Sequence, residues 1–332
     1  MRDWWQPRLT LRTALLLPLS LLFGALAALR RALYRAGILS TQRLPVPVLV
    51  VGNLTVGGSG KTPLVIALAQ AFTERGWHPG VISRGYGAEV DGAREVHADS
   101  SPAQVGDEPL LIRRSGVGCP VFVGRKRVEA GHALLAAYPR TNLIISDDGL
   151  QHYALARDAE VAVFDARGAG NGRLLPAGPL REPLARAATL DAVVCNGEVP
   201  LTLARPAWRM DLRPWGLFLL VDPAQRRDAA DLAREYGSRI AALAGIGSPE
   251  RFFTTLRGLG LQFEEHPFPD HHAYTAADLK AITAPLIVMT EKDAIKCAQF
   301  GDPRIWVLPV TAQIDPGLVD ALLEKLRGSQ TA

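Results

Sequence analysis

Residues 55–63, Thr-Val-Gly-Gly-Ser-Gly-Lys-Thr-Pro, constrain the fold of this chain more than any other stretch. An apolar run, residues 46–51, precedes them, and a helical pattern, residues 64–75, follows. Strand, glycine loop and helix in that order are what a phosphate-binding loop requires. The helix start offers unpaired N–H groups and the positive end of a dipole, and glycines let the backbone close around an anion. In that reading Thr55, Val56, Gly57, Gly58, Ser59, Gly60, Lys61 and Thr62 form the nucleotide cradle. Lys61 reaches the terminal phosphates, and the Thr62 hydroxyl ligates magnesium. One position departs from the general G-x-x-x-x-G-K-[ST] pattern: Thr55 stands where a glycine is usual. A glycine-rich turn without phosphate chemistry is the plain alternative, and the flanking strand and helix patterns count against it.

The 332 residues provide material for two domains, or for one large α/β domain with additions. Three scattered cysteines, Cys119, Cys195 and Cys297, have no metal-ligand spacing and form no disulfide framework. Buried thiols in a reducing compartment fit them best. Charge is unevenly spread. Residues 1–43 hold seven arginines against Asp3, a net +6 in a chain of net +4, so the remainder carries −2. Basic character confined to one end argues for an encounter with anionic lipid and against a nucleic-acid surface spread over the fold.

Residues 13–29 carry no charge and, as a helix, span about 25 Å, slightly less than a bilayer's hydrocarbon core. Trp4 and Trp5 precede this run and Tyr34 follows it, as interfacial aromatics do; Pro18 interrupts it. Three placements compete. Ala25-Leu26-Ala27 resembles a signal-peptide cleavage site, but cleavage would export a nucleotide-binding domain. A spanning helix would put Arg2, Arg8 and Arg12 outside, against the positive-inside rule. A helix embedded in, or lying against, the cytoplasmic leaflet fits best.

From Pro45 onward strands and helices alternate. Apolar runs at 46–51, 80–83, 142–146, 160–164 and 192–195 read as strands of a parallel sheet with covered faces. Residues 201–225, rich in Pro and Trp and without helical period, read as a join. A second α/β pattern follows, with strands at 240–244, 286–289 and 305–309 and a closing helix at 317–327. Ser248 before Pro249 marks a helix start. The expected organisation is a membrane-associated helix over 1–40, a P-loop core over 41–205, a hinge over 206–225 and a smaller C-terminal α/β domain over 226–328. Only the last few residues read as disordered.

Asp147-Asp148, at the end of an apolar strand, is placed to hold magnesium on ATP. Turns and helix caps use acidic pairs too, but this pair lies downstream of a phosphate loop. Asp107-Glu108-Pro109 is either a helix cap or a carboxylate that takes the proton from an attacking hydroxyl. His271 or His272 is either a loop histidine or, paired with a carboxylate, a proton acceptor. Arg125, Lys126 and Arg127 form a solvated face or a phosphate contact.

In order along the chain, the motifs Gly52-Asn53-Leu54-Thr55-Val56-Gly57-Gly58-Ser59-Gly60-Lys61-Thr62-Pro63, Ser83-Arg84-Gly85-Tyr86-Gly87 and Val105-Gly106-Asp107-Glu108-Pro109 come first. Asp147-Asp148-Gly149-Leu150-Gln151-His152, Leu180-Arg181-Glu182-Pro183, Phe268-Pro269-Asp270-His271-His272 and Thr290-Glu291-Lys292-Asp293 follow. This ordered set resembles the tetraacyldisaccharide 4'-kinases, the lipid A kinases of Gram-negative bacteria. Thr55, odd against the general pattern, is what that family carries there.

The resemblance implies transfer of the ATP γ-phosphate to the 4'-hydroxyl of a membrane-bound tetraacyldisaccharide 1-phosphate. By the same resemblance Ser59, Lys61 and Thr62 bind ATP and Mg2+, and Asp147, Asp148 and Glu182 organise the metal. Asp107 is the general base, with His271 its partner, preferred to His272 by motif position. Arg127 and Arg181 stabilise charge near the phosphates, and Glu108, Gln151 and His152 line the site with Arg181. The family's fold is a P-loop core with a smaller C-terminal α/β domain joined by a hinge, so closure would bring His271 toward the nucleotide. The chain is read as a monomer with a lipid substrate and no nucleic-acid partner.

Two other classes remain at this level. A membrane-cycling P-loop ATPase switch shares the phosphate loop, the strand-end aspartate and the basic anchor. It has no need of Asp107 or of the distant Asp270-His271 pair. A soluble ligase or small-molecule kinase leaves residues 13–29 unexplained.

Overall fold

A computed structural model describes residues 5–6, 10–201, 203 and 206–328. Arg2, Asp3, Trp4 and Arg8, read above as part of the basic, aromatic flank, lie outside the described residues, as do the last four residues. The chain forms two compact units, Met1–Asp211 with Ala312–Ala332, and Leu212–Thr311.

The first unit opens with helix α1 (Leu11–Arg35), capped by the Thr10 side chain, which accepts from the Thr13 amide at 3.1 Å. At about 1.5 Å per residue it is long enough, and apolar enough, to cross a membrane. Leu11, Leu15, Leu19, Leu22, Leu26 and Leu29 are exposed along it, whereas Thr13 and Ser20 are buried. That buried side is docked: Ser20 Oγ donates to the Leu174 carbonyl at 2.8 Å, and the Trp5 indole donates to the Pro176 carbonyl at 3.2 Å. Trp5, expected at a lipid interface, thus bonds to the protein body. The Ala25-Leu26-Ala27 stretch continues as uninterrupted helix.

Next come β1 (Val48–Gly52), α2 (Lys61–Glu74), β2 (Pro79–Ser83), β3 (Ala93–Glu95), α3 (Pro102–Val105), α4 (Asp107–Arg114), β4 (Val121–Gly124) and α5 (Arg127–Ala137). Then follow β5 (Leu143–Asp147), β6 (Ala159–Asp165), β7 (Ala192–Asn196) and β8 (Trp208–Pro214). β1 is central, parallel to β5 on one side and to β6 on the other. Its residues Val48 to Val51 are essentially inaccessible, which explains a continuous apolar run where an alternating one would leave a face wet. β2, β4 and β7 extend the parallel sheet, and β3 closes one edge antiparallel to β4.

The second unit is built from β9 (Leu217–Leu219), β10 (Asp222–Arg227), α6 (Ala229–Tyr236), β11 (Ile240–Ala244), α7 (Pro249–Gly258), β12 (Glu264–Pro267), α8 (Ala276–Lys280), β13 (Leu286–Thr290), α9 (Glu291–Cys297) and β14 (Ile305–Leu308). Its six strands lie in the order β10-β9-β14-β13-β11-β12, the last four mutually parallel. Cores of Phe253, Leu256 and Val288 on one face, and of Leu279, Ile287 and Val307 on the other, cover the sheet.

Two features differ from the sequence reading. Residues 201–225, read as an irregular join, contain β8, β9 and part of β10, short strands whose Pro and Trp content masked the alternation. And β15 (Val310–Ile314) with α10 (Pro316–Gly328) returns to the large sheet, where β15 lies beside β8, so the second unit ends at Thr311 rather than near residue 328. α10 buries Leu318, Val319, Leu322, Leu323 and Leu326, and Arg75 and Asp191 pair with its Asp320 and Lys325. An amphipathic helix carries no mark of which sheet it covers, so chain order alone misassigns it.

Candidate active site

The loop from Asn53 to Gly60 joins β1 to α2, and polar groups hold it in place on several sides. Asn53 Nδ2 donates to the Gly57 carbonyl at 3.1 Å and to Ser59 Oγ at 3.2 Å. Asn196, at the end of β7, donates to the Ser59 carbonyl at 3.2 Å. Arg167 donates to the Gly58 carbonyl at 2.9 Å while paired to Asp165, at the end of β6, at 2.8 Å. The Val56 amide bonds to the Pro179 carbonyl and the Arg181 amide to the Leu54 carbonyl. With so many of its carbonyls engaged, the loop is preorganised, as anion binding by backbone N–H groups requires.

Gly60 caps α2 at φ 97°, a left-handed conformation in which a Cβ would sit 2.5 Å from Asn196 Nδ2. Only glycine fits there. α2 starts at Lys61, three residues earlier than its apolar pattern suggests, so Lys61 and Thr62 occupy the first helical turn. Both are buried.

Lys61 faces the acidic pair. Asp147 ends β5, next to Val51 of β1, and is fully buried; Asp148 follows with φ 47°. Lys61 Nζ is 3.7 Å from Asp148 Oδ1, and Arg181 Nη1 is 3.0 Å from the same oxygen. Burial opposes ionisation of Asp148, but Lys61, Arg181 and Arg127 outweigh it and hold that carboxyl below its ordinary value. Asp147 behaves oppositely. Burial, then the Glu108 and Asp148 carboxylates, push it up to about 7, against the pull of Lys61 and Arg127. Its Oδ2 accepts from Ser83 Oγ at 3.3 Å, and its buried Oδ1 has no hydrogen-bond partner. A buried, unsatisfied carboxylate oxygen beside a phosphate loop fits a hard divalent cation.

Arg127, expected near the phosphates, is buried in the first turn of α5 and donates to the carbonyls of Asp147 (3.0 Å) and Asp148 (2.7 Å). It therefore fixes the turn that presents both acids. Arg181 is bonded to Asp148 and to Gln151, and Gln151 donates to the Asn53 carbonyl at 3.3 Å. His152 is held down to about 4 by burial and by Arg127, Arg157, Arg30 and Arg84, so it is neutral at pH 7. Asp107 and Glu108 open α4 after Gly106, whose φ of 89° brings the backbone against Tyr86 and Gly85.

Glu182, expected among the metal-organising acids, is buried. Tyr153 donates to its Oε1 at 2.6 Å, and Arg186 Nε lies 3.5 Å from its Oε2. Among the described residues no three His, Cys, Asp or Glu side chains group as a metal site. Glu182 Oε2, like Asp147 Oδ1, is buried without a hydrogen-bond partner.

In the second unit, His271 and His272 follow β12 and have different surroundings. His272 Nε2 is 3.2 Å from Asp278, and its ring packs on Phe268 and Tyr274 at centroid distances of 4.6 and 4.9 Å. That is a structural histidine. His271 has φ 60° and its Nε2 lies 3.3 Å from Lys292 Nζ. Asp148 and His271 are the two non-glycine residues with positive φ among those described, and such strain concentrates at functional sites.

Sequence reasoning gave no role to Asn53, Ser83, Asp165, Arg167 or Asn196. Each directly follows or ends a strand, or pairs with a residue that does. A polar residue at the carboxyl end of each parallel strand was the available signal.

A glycine loop turning a buried parallel strand into a helix, with a lysine facing an aspartate at the end of the neighbouring strand, defines a P-loop nucleotide-binding α/β protein. The family model for tetraacyldisaccharide-1-phosphate 4'-kinase (LpxK) matches residues 12–327. The tetraacyldisaccharide 4'-kinase of Dechloromonas aromatica is 56% identical over 321 residues, 96% of this chain and 94% of that protein. That of Chromobacterium violaceum is 52% identical over 336 residues, covering 98% and 97%. A crystal structure of LpxK from Aquifex aeolicus in complex with ATP superposes with a TM-score of 0.80 at 29% identity, covering 95% of this chain and all of that one. The chain belongs to the tetraacyldisaccharide-1-phosphate 4'-kinase family. It is an ATP-dependent kinase of lipid A biosynthesis, and membership sets aside the membrane-cycling switch.

Proposed function

We propose that this kinase moves the γ-phosphate of ATP to the 4'-hydroxyl of tetraacyldisaccharide 1-phosphate at the cytoplasmic face of the inner membrane, with Asp107 as general base and His271 as its partner. The observation that carries the nucleotide half is the buried Lys61 set against Asp147 and Asp148 at the end of the strand next to β1. The loop residues Thr55 to Thr62 bind the phosphates through backbone N–H groups and Lys61, and their outer hydrogen bonds keep that cradle fixed before nucleotide arrives.

Thr62 and Asp147 would hold magnesium, with Asp148 beside them; the unsatisfied Asp147 Oδ1 supports that donor set. Bound there, the cation would neutralise charge on the β- and γ-phosphate oxygens. Arg127 holds both acids by their carbonyls, and Arg181 balances Asp148. Glu108 lies close enough to raise Asp147, so α4 carries its acids toward the phosphate end of the site, and Asp107 would there accept the proton of the attacking hydroxyl. Glu108, Gln151 and His152 would line the acceptor side, His152 as a neutral imidazole. The leucine-faced α1 would hold the enzyme at the bilayer that contains its insoluble acceptor.

The test is transfer of labelled phosphate from ATP to tetraacyldisaccharide 1-phosphate in detergent micelles, for wild type and Asp107→Ala. A loss of roughly a hundredfold or more in the variant supports a positioned base. A variant within about tenfold of wild type removes Asp107 from that role.

A further inference from the structure

Two motif segments of the second unit and the turn at Gly245 meet at one end of its parallel sheet, where β12, β11 and β13 lie side by side. β12 runs into Phe268–His272, β11 into Gly245, and β13 into Thr290-Glu291-Lys292-Asp293. The last of these has no role in the chemistry above.

Asp293 is fully buried and ties the segments together. Its Oδ2 accepts from the Gly245 amide at 3.0 Å and from Thr290 Oγ1 at 2.7 Å, and Lys296 Nζ lies 2.9 Å from its Oδ1. Thr290 Oγ1 in turn accepts from the Asp293 amide at 3.2 Å, capping α9. A side chain on Gly245 would meet the Tyr274 hydroxyl, Asp293 Oδ1 and the Pro269 carbonyl within 3.3 Å, so these groups close around the end of β11. The first turn of α9 is therefore pinned against the loop that bears His271. Lys292, one residue before Asp293, extends from that turn with Nζ 3.3 Å from His271 Nε2 and 3.5 Å from Asp270 Oδ1.

We propose that Lys292 is a positioning residue for phosphoryl transfer: anchored by buried Asp293, it donates to His271 Nε2, fixing the ring's orientation and placing the proton of the neutral ring on Nδ1. A lysine ammonium has three donors and no acceptor, so an imidazole nitrogen facing it must accept. The ring's remaining N–H is then at Nδ1, because Asp270 Oδ1, 3.9 Å from the same Nε2, lies beyond hydrogen-bond reach, and the ring is aimed by the left-handed backbone of His271. Asp270 receives the same ammonium, which balances the charge brought to the turn. An orienting group behind a catalytic imidazole is what acid–base catalysis requires of its supporting residues. The proposal rests on the reading of His271 as partner of the base.

The experiment uses full-length protein in detergent micelles with nitrogen-15-labelled imidazoles, the His271 resonances being assigned by their loss in His271→Ala. Long-range proton–nitrogen spectra report the tautomer without any turnover. Wild type is expected to show the Nδ1–H form, and Lys292→Met a mixture of both. In parallel, kcat of Lys292→Met is expected to fall roughly 10- to 100-fold with KM for ATP within about twofold of wild type, and Lys292→Arg to recover part of the loss. Lys292→Ala, which likewise removes the donor, replaces the methionine variant if that one does not fold. An unchanged tautomer in Lys292→Met overturns the proposal whatever the rates do. A shifted tautomer with full activity in both Lys292→Met and His271→Ala leaves the hold on the ring standing and overturns the dyad reading instead.

Discussion

Lys61 Nζ lies 3.7 Å from Asp148 Oδ1, so the phosphate-loop lysine and the strand-end acid form a buried to half-buried ion pair. Arg181 shares that acid at 3.0 Å. Asp148 therefore keeps a cation when Lys61 is removed, whereas Asp147 loses one of the two cations that draw its proton off. Lys61→Ala is expected to fold, and to lose about 100- to 1000-fold in phosphate transfer, because the donor proposed for developing phosphate charge is gone. Retention of transfer within about tenfold of wild type would sink that role.

Asp147 supplies a pH signature. Its folded value is about 7, raised first by burial and then by Glu108 and Asp148, against an ordinary value of 3.8. The folded protein thus binds a proton there that the unfolded chain has released, and stability falls as pH rises from about 4 through about 7. Asp147→Asn removes that dependence. In metal-free buffer its Tm relative to wild type should be higher at about pH 8 than at about pH 4.5. Because a cation on this carboxylate competes with the proton, the magnesium needed for half-maximal transfer should fall through the same window. A Tm difference independent of pH would count against the raised carboxyl.

The core strands were legible because they are buried on both faces: residues 46–51, 142–146 and 160–164 are continuous apolar runs, and the structure shifts their ends by one or two residues. The phosphate loop was legible from glycine spacing alone. Less visible was how the site is supported. Asn196 and Arg167 act through the backbone carbonyls of Ser59 and Gly58, far back along the chain, and no local pattern records such a bond. Glu182 shows its motif role least directly: Tyr153 donates to its Oε1 and Arg186 pairs with it at 3.5 Å, contacts set by packing that no local pattern records. The same holds for α10, whose apolar stripe fits either sheet until the turn at Asp315 commits it to the first unit.

Gly60 tests the fixed shape of the loop. Alanine there must adopt φ near 97° and push Asn196 Nδ2 from a position 2.5 Å away. The backbone term alone costs about 1–2 kcal/mol, and displacement of Asn196 frees the Ser59 carbonyl. Gly60→Ala should therefore weaken ATP binding in calorimetry by at least about tenfold while lowering Tm by only a few degrees. ATP affinity equal to wild type would show that the loop reshapes freely.

Glu182 separates support from metal binding. Tyr153 donates to it at 2.6 Å, and burial and Glu182 together push the phenol up to about 12. Arg186 keeps its bond to Glu160 at 2.5 Å if Glu182 is lost. Glu182→Ala should thus cost about 1.5–3 kcal/mol in denaturant unfolding, from the charged hydrogen bond it removes. The magnesium concentration for half-maximal transfer should stay put. A large shift in that concentration with unchanged stability would return Glu182 to the metal.

Asp107 and His271 are expected to act as a unit, and rates can show it. If the carboxylate takes the proton and the imidazole orients or relieves it, either loss removes most of the advantage of the pair. Asp107→Ala and His271→Ala should each lower kcat by about 100-fold or more, and the double variant by little more than the worse single. KM for ATP should change little in all three, since neither residue belongs to the phosphate loop. The cycle is read from initial rates of labelled phosphate transfer at saturating ATP, with Tm recorded for each variant. Losses that multiply in full would mean two independent contributions, and the dyad would have to be given up.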